Sequence, residues 1–338
     1  MAKARREPFS GEVRGRKSFW RVLPIPCALR GENYFMNFSY IRRMDFKATP
    51  EIRRHSAPLL AVAVGFAALL PAVFADEYAY TWSLLAFVLP LGFMIQWLRR
   101  HAPIAWREVI AHGPATLAVL VPMGLALNFA LADVLFVYPE ARTNLGMRIS
   151  VPGGAENVAI PIEEYFFYVL GFSFILMGYV FFASRRLLGH FGAVRSSRGT
   201  AGLFVLPSLL AIGAACSLRP DHSAGEPVYL QYLVCLPLAV TLLFAERARR
   251  SIDWTGLARI TTFTVALSFV LEALLALPRG WWGYNPAMMC GINVTPGLPL
   301  EAVLVWLLAA VVTPIVFEAV RGAGAVQSDS FKLVAARA

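Results

Sequence analysis

The chain has 338 residues, of which 58% are hydrophobic and only 15% charged, with a mean hydropathy of +0.59 and a formal net charge of +10. So apolar a composition excludes a soluble two-domain protein and fits a polytopic membrane protein. Four scattered cysteines (Cys27, Cys216, Cys235 and Cys290) have no paired spacing, so neither a disulfide framework nor a zinc site is indicated.

In chain order, residues 1–54 mix Arg, Lys, Pro and Gly without a sustained period and read as a basic, disordered or surface-lying cytoplasmic arm. No signal peptide is expected, because the first apolar run begins only near residue 57. Runs long enough to cross a hydrocarbon core of about 30 Å as helices lie near 57–75, 80–98, 114–135, 160–182, 201–217, 228–245, 258–277 and 298–319. The expected fold is therefore all-α and polytopic, with about eight transmembrane helices and a short cytoplasmic tail at 321–338. The 31 Lys and Arg residues explain the net charge: 27 fall in the N-terminal arm, the alternate loops after helices 2, 4 and 6, and the tail. The other loops hold only Arg142, Arg148, Arg219 and Arg279. This asymmetry predicts an integral protein of the cell (inner) membrane with both termini cytoplasmic, and makes the positive charge a topology signal, with no nucleic acid expected as partner.

The chain also repeats itself. Pro161-Ile-Glu163-Glu164 aligns with Pro299-Leu-Glu301-Ala302, "LPLGFMIQWLRR" from Leu89 with "LPLAVTLLFAERARR" from Leu236, and "FVYPEA" from Phe136 with "WGYNPA" from Trp282. Asp133 precedes Pro161 by 28 residues, and Glu272 precedes Pro299 by 27. Residues 55–185 and 200–320 thus read as two copies of a four-helix unit. Four crossings return the chain to the side it started from, so the copies are parallel. Both Pro-x-Glu sites then lie at one end of the bundle, where two helix starts converge and can enclose a ligand.

Ionisable groups at membrane depth are functional candidates, which singles out Glu163, Glu164, Glu301, Asp133 and Glu272. The leading acids on this reading are Glu163 and Glu301. Helical spacing puts Phe167 below Glu163 and Tyr168 below Glu164, and Trp282, Tyr284 and Trp306 add aromatic surface near the second copy. Asn128 is read as a helix-to-helix hydrogen bond.

The Pro-x-Glu-Glu opening of an aromatic helix, the acid before it, the "GYNP" turn and the duplication resemble the membrane-integral lycopene cyclase family over roughly residues 55–320. The sequence departs from that pattern at Ala302, where the family favours a second acid, at Glu272, where aspartate is more usual, and in the insertion "MRISVPGGAENVA". The resemblance implies conversion of the linear end of lycopene, through γ-carotene, to β-carotene, with no cofactor and no metal. Implied partners are a lipophilic polyene substrate, the lipid bilayer and other carotenoid-pathway enzymes. Such chemistry needs a proton delivered to an alkene, a base to take one back, and aromatic faces that hold a cation away from water. A buried carboxyl beside a second one keeps its proton more readily than an exposed one. Two other functions share these features: a hydratase that adds water to the same cation, and a small-substrate or proton-coupled transporter.

Overall fold

Six apolar runs fold as helices in the computed structural model. Hydrocarbon offers no water to backbone N–H and C=O groups, so a spanning segment must satisfy them internally. The structure describes residues 77–137, 143–150, 159–189, 227–249 and 251–335, with isolated positions between 58 and 69. A short helix α1 (Ala79–Ser83) leads into α2 (Leu85–His101), followed by α3 (Pro103–Leu135), α4 (Ile162–Gly189), α5 (Val228–Ala248), α6 (Trp254–Phe269) and α7 (Leu300–Ala335). The helix α6 runs on through a π-helical segment, Val270–Ala276, and closes in a turn at Leu277–Arg279. These helices match six of the eight expected spans. The expected helix at 201–217, most of that at 57–75 and the arm at 1–54 lie outside the described residues.

The helix ends obey local chemistry. Arg99, Arg100 and His101 occupy the last turn of α2, where cations suit the helix dipole. Asp253 caps α6 by accepting the Gly256 N–H at 2.9 Å. Two boundaries differ clearly from expectation: α7 continues to Ala335, through most of the tail expected from 321, and α3 begins at Pro103 and passes through Pro114, about three turns ahead of the run read from 114. Arg107, Glu108 and His112 made that first stretch look too polar to span. In the structure Glu108 and His112 are buried and face each other across one helical turn at 3.5 Å.

The helix α7 packs against α3, α4, α5 and α6 and forms the centre of the bundle. Small residues let α4 and α6 approach closely. A side chain at Gly256 would meet Ala183 at 3.0 Å, and one at Gly178 would lie 2.3 Å from Ile260, the close backbone contact that membrane helices favour. The outward faces carry exposed Leu238, Leu242, Leu243 and Leu274. Exposed large apolar side chains on six helices long and apolar enough to cross a membrane suit a lipid bilayer. The chain is an integral membrane protein by this criterion.

Beside the C-terminal half of α4 and the start of α6, Glu318 of α7 is wholly buried. It accepts Tyr179 Oη at 2.9 Å and Arg321 Nε at 2.9 Å, and Tyr179 Oη in turn accepts the Asp253 N–H at 3.0 Å. This network ties α4, α6 and α7 together. Removing one member of a buried ion pair strands the other charge and typically costs about 3–5 kcal/mol. Arg321→Ala should therefore lower stability by that order, measured by unfolding of the purified protein in detergent. Tyr179→Phe, which removes a hydroxyl but no charge, should cost less.

The opposite end of the bundle carries three short antiparallel ladders that the all-α expectation did not include. They join β1 (Phe136–Val137) to β4 (Gly283–Tyr284), β2 (Arg148–Ser150) to β3 (Ala159–Pro161), and β5 (Asn293–Thr295) to β6 (Leu298–Pro299). In the first, Phe136 pairs with Tyr284 and Val137 with Gly283. The other two each deliver the chain into a long helix, α4 and α7 respectively.

Candidate active site

Between the helices, close to the ladder end, lies an apolar cavity of about 120 Å³. A single buried water needs roughly 10–15 Å³ of such space, so the cavity suits an extended apolar group or several waters. Its walls come from α1, α2, α3, α4, α5 and α7, from Phe136, from the π segment after α6 and from Trp282 and Tyr284. Two carboxylates face into it, Glu164 from the first turn of α4 and Glu272 from the π segment after α6. They are 7% and 4% exposed, so neither is solvated as a surface acid would be.

Each acid is held by named donors. Glu164 Oε2 accepts Asn128 Nδ2 at 2.9 Å, while its Oε1 is hydrogen-bonded to the Tyr80 hydroxyl. Glu272 Oε1 accepts Trp306 Nε1 at 2.6 Å and Ser268 Oγ at 3.1 Å, and its Oε2 is hydrogen-bonded to the Tyr284 hydroxyl. An indole N–H can only donate, so Glu272 Oε1 is fixed as an acceptor. A phenol hydroxyl both donates and accepts. Each carboxyl therefore presents to a tyrosine the one oxygen on which a proton can be held or released. Burial first, then the adjacent Glu272 carboxylate, pushes the Tyr284 phenol well above its usual range, so this hydroxyl stays protonated.

The π-helical turn explains how Glu272 is aimed. Over Val270–Ala276 the ladder shifts to i→i+5, with Leu277 N–H donating to the Glu272 carbonyl. This widens the turn by one residue and re-orients the side chains beyond it, a device common at functional positions. Around both acids stand aromatic rings. Phe87 stacks on Trp306 at 5.6 Å with planes 20° apart, and Phe167 meets Trp306 edge-on at 5.3 Å. Tyr80 lies against Trp282 at 5.2 Å and Tyr229 stacks on Tyr284 at 6.5 Å. Tyr168 lies so close to α3 that any side chain at Gly124 would meet its ring at 2.2 Å.

Of the residues singled out from the sequence, Glu164, Glu272, Phe167, Tyr168, Trp282, Tyr284 and Trp306 come together on this one cavity. Glu163 and Glu301 do not line it. They are buried at 1% and 0% exposure, and each accepts a loop N–H at 2.6 Å, from Leu145 and Cys290 respectively. The leading acids of the sequence reading thus face loop backbone, because adjacent residues on a helix point about 100° apart and Glu164 takes the inward direction. The Asp133 side chain lies outside the described residues; its backbone belongs to α3. Asn128 is the expected inter-helix bond, and its partner is one of the cavity acids. The sequence reading missed Tyr80, Ser268, Tyr229 and Tyr232. Their only signal was a polar hydroxyl in an apolar segment, as in "EYAYTWSLL".

No family model, curated protein or solved structure matches the chain.

Proposed function

We propose that the protein is an acid–base isomerase of an apolar polyene, closing a ring at a carotenoid end group as the lycopene cyclases do. The observation that carries this reading is the cavity itself: two buried glutamates, each bonded to a tyrosine hydroxyl, share one aromatic-walled apolar space. One carboxyl adds its proton to the terminal double bond. The resulting tertiary cation is attacked by the neighbouring trisubstituted double bond, a carbon–carbon bond closes the six-membered ring, and the second carboxylate removes an adjacent proton. One proton enters and one leaves, so the molecular formula is unchanged and no oxidant or reductant is consumed. The rings of Phe87, Phe167, Trp282 and Trp306 offer their negative faces to the passing cation and exclude water that would trap it.

In this reading the chain has eight transmembrane helices in two parallel four-helix copies, with both termini cytoplasmic and the ladders on the outer side. Several features support the two copies. The β1–β4 ladder pairs Val137 with Gly283, which are equivalent positions of the aligned "FVYPEA" and "WGYNPA" segments, as expected of strands related by a twofold axis. Glu163 and Glu301 bind their loops in the same way. Glu164 then belongs to one copy and Glu272 to the other, and the reaction occurs at their junction. The test is expression of the chain in a lycopene-accumulating host. Monocyclic and bicyclic carotenes are the expected products. Hydroxylated linear product would instead mark water addition to the same cation, and an unchanged pigment profile would refute the assignment.

A further inference from the structure

We infer that Glu163 and Glu301 are positioning residues, paired latches that fasten the two ladder loops and thereby set the tyrosines bonded to the cavity acids. Glu163 Oε1 accepts the Thr81 hydroxyl at 2.7 Å and the Leu145 N–H at 2.6 Å. The same loop holds α1 from its other side, since the Thr143 carbonyl accepts the Tyr80 N–H at 2.8 Å. Tyr80 is the residue whose hydroxyl meets Glu164. On α1, the neighbours Tyr80 and Thr81 thus engage the neighbours Glu164 and Glu163, one pair facing the cavity and the other the loop.

The second latch repeats the first. Glu301 Oε1 accepts the Cys290 N–H at 2.6 Å, at the far end of the segment that begins with Tyr284, the partner of Glu272. In both loops the donating residue is followed by a glycine in the left-handed region, Gly146 at φ 73° and Gly291 at φ 81°, a conformation that side-chain-bearing residues rarely adopt. One residue further on, a loop carbonyl accepts the first N–H of the next helix segment: Met147 O from Ile162 at 3.0 Å, Ile292 O from Leu300 at 2.9 Å. The left-handed turn is what aims the preceding N–H at the carboxylate.

These two acids are poorly arranged for proton transfer. Neither lines the cavity. The second oxygen of each, Oε2, is buried and has no hydrogen-bond partner among the described residues. Each buried carboxyl oxygen holds its loop N–H in a short contact of 2.6 Å, which is what a latch requires.

The inference rests on the cyclase reading for its activity arm and is independent of it for its structural arm. The full chain in lipid nanodiscs is compared as wild type, Glu163→Gln, Glu163→Ala, Glu301→Gln and Glu301→Ala, with Glu164→Gln as reference. Amide hydrogen exchange and the rate of ring formation are measured on each. A glutamine oxygen still accepts the loop N–H, so both glutamine variants should stay within about threefold of wild type in rate and show native exchange. Glu163→Ala should raise exchange at 143–147 but not at 288–293, Glu301→Ala the reverse. Each should slow turnover by about 10–100-fold, the order that a misplacement of about 1 Å can cause, with the pH profile unchanged. Native exchange in both alanine variants would overturn the latch. So would a Glu163→Gln variant as slow as Glu164→Gln, since that would make Glu163 a proton carrier. If wild type forms no ring, the cyclase reading fails and the exchange data still decide the latch.

Discussion

Glu272→Gln should leave a folded membrane protein that closes rings about 10²–10⁴-fold more slowly, the usual contribution of a general acid or base. The substitution is well suited to separating chemistry from structure. The amide oxygen can keep the bonds from Trp306 Nε1 and Ser268 Oγ, and the amide nitrogen can donate to the Tyr284 oxygen, whose hydroxyl can reverse its role. What is lost is the ability to hold and release a proton. Glu164→Gln should behave in the same way, with Asn128 and Tyr80 as the retained partners. Because donor and acceptor act in one reaction, the double variant should be little worse than either single one. Turnover in lipid, with the melting temperature as a control for folding, measures all three. Loss of folding in the glutamine variants would mean that the carboxylates are structural, and near-normal turnover would exclude them from the reaction.

The second large effect concerns the π-helical turn. Removing Ala273 from Val270–Ala276 takes out the extra residue and lets the helix run as a regular α-helix. Each residue turns an α-helix by about 100°, so the two ends can no longer both keep their contacts. Upstream, α6 is fixed by Gly256 against Ala183 and by Ile260 against Gly178. Downstream, Trp281 is buried and Tyr284 is held in the β1–β4 ladder. Either Glu272 leaves the cavity or Tyr284 leaves Glu272. Because a misplacement of about 1 Å can cost 10²-fold, the deletion should reduce turnover by at least about that factor while the helices persist by circular dichroism. Ala273→Gly, which alters the residue but not the count, should be far milder.

The contrast between these residues and the rest shows what a sequence of this kind reveals. Six spans were legible from length and apolarity alone, because hydrocarbon leaves the backbone no alternative to a helix. The start of α3 was not, because Glu108 and His112 look like loop residues until their burial against each other is known. The ladders of two or three residues are too short to produce an alternating pattern. The acids were legible as a set, since charge in an apolar chain is conspicuous. Which of Glu163 and Glu164 turns inward depends on the rotation of α4, fixed by Thr81, Leu145 and Asn128, all distant in sequence. Likewise Glu272 faces the cavity through a π turn that no hydrophobic period announces.

The central claim is that a proton from a carboxyl in this cavity enters the product and a different proton leaves. Ring formation by the purified protein in deuterated water tests it most directly, with the product examined by mass spectrometry and NMR. The account predicts one deuterium per ring formed, located on the ring carbon next to the one bearing the paired methyl groups, with incorporation by the Glu164→Gln, Glu272→Gln double variant slowed by at least about 10²-fold. Rings formed without deuterium, or labelled at wild-type rate by the double variant, would contradict it.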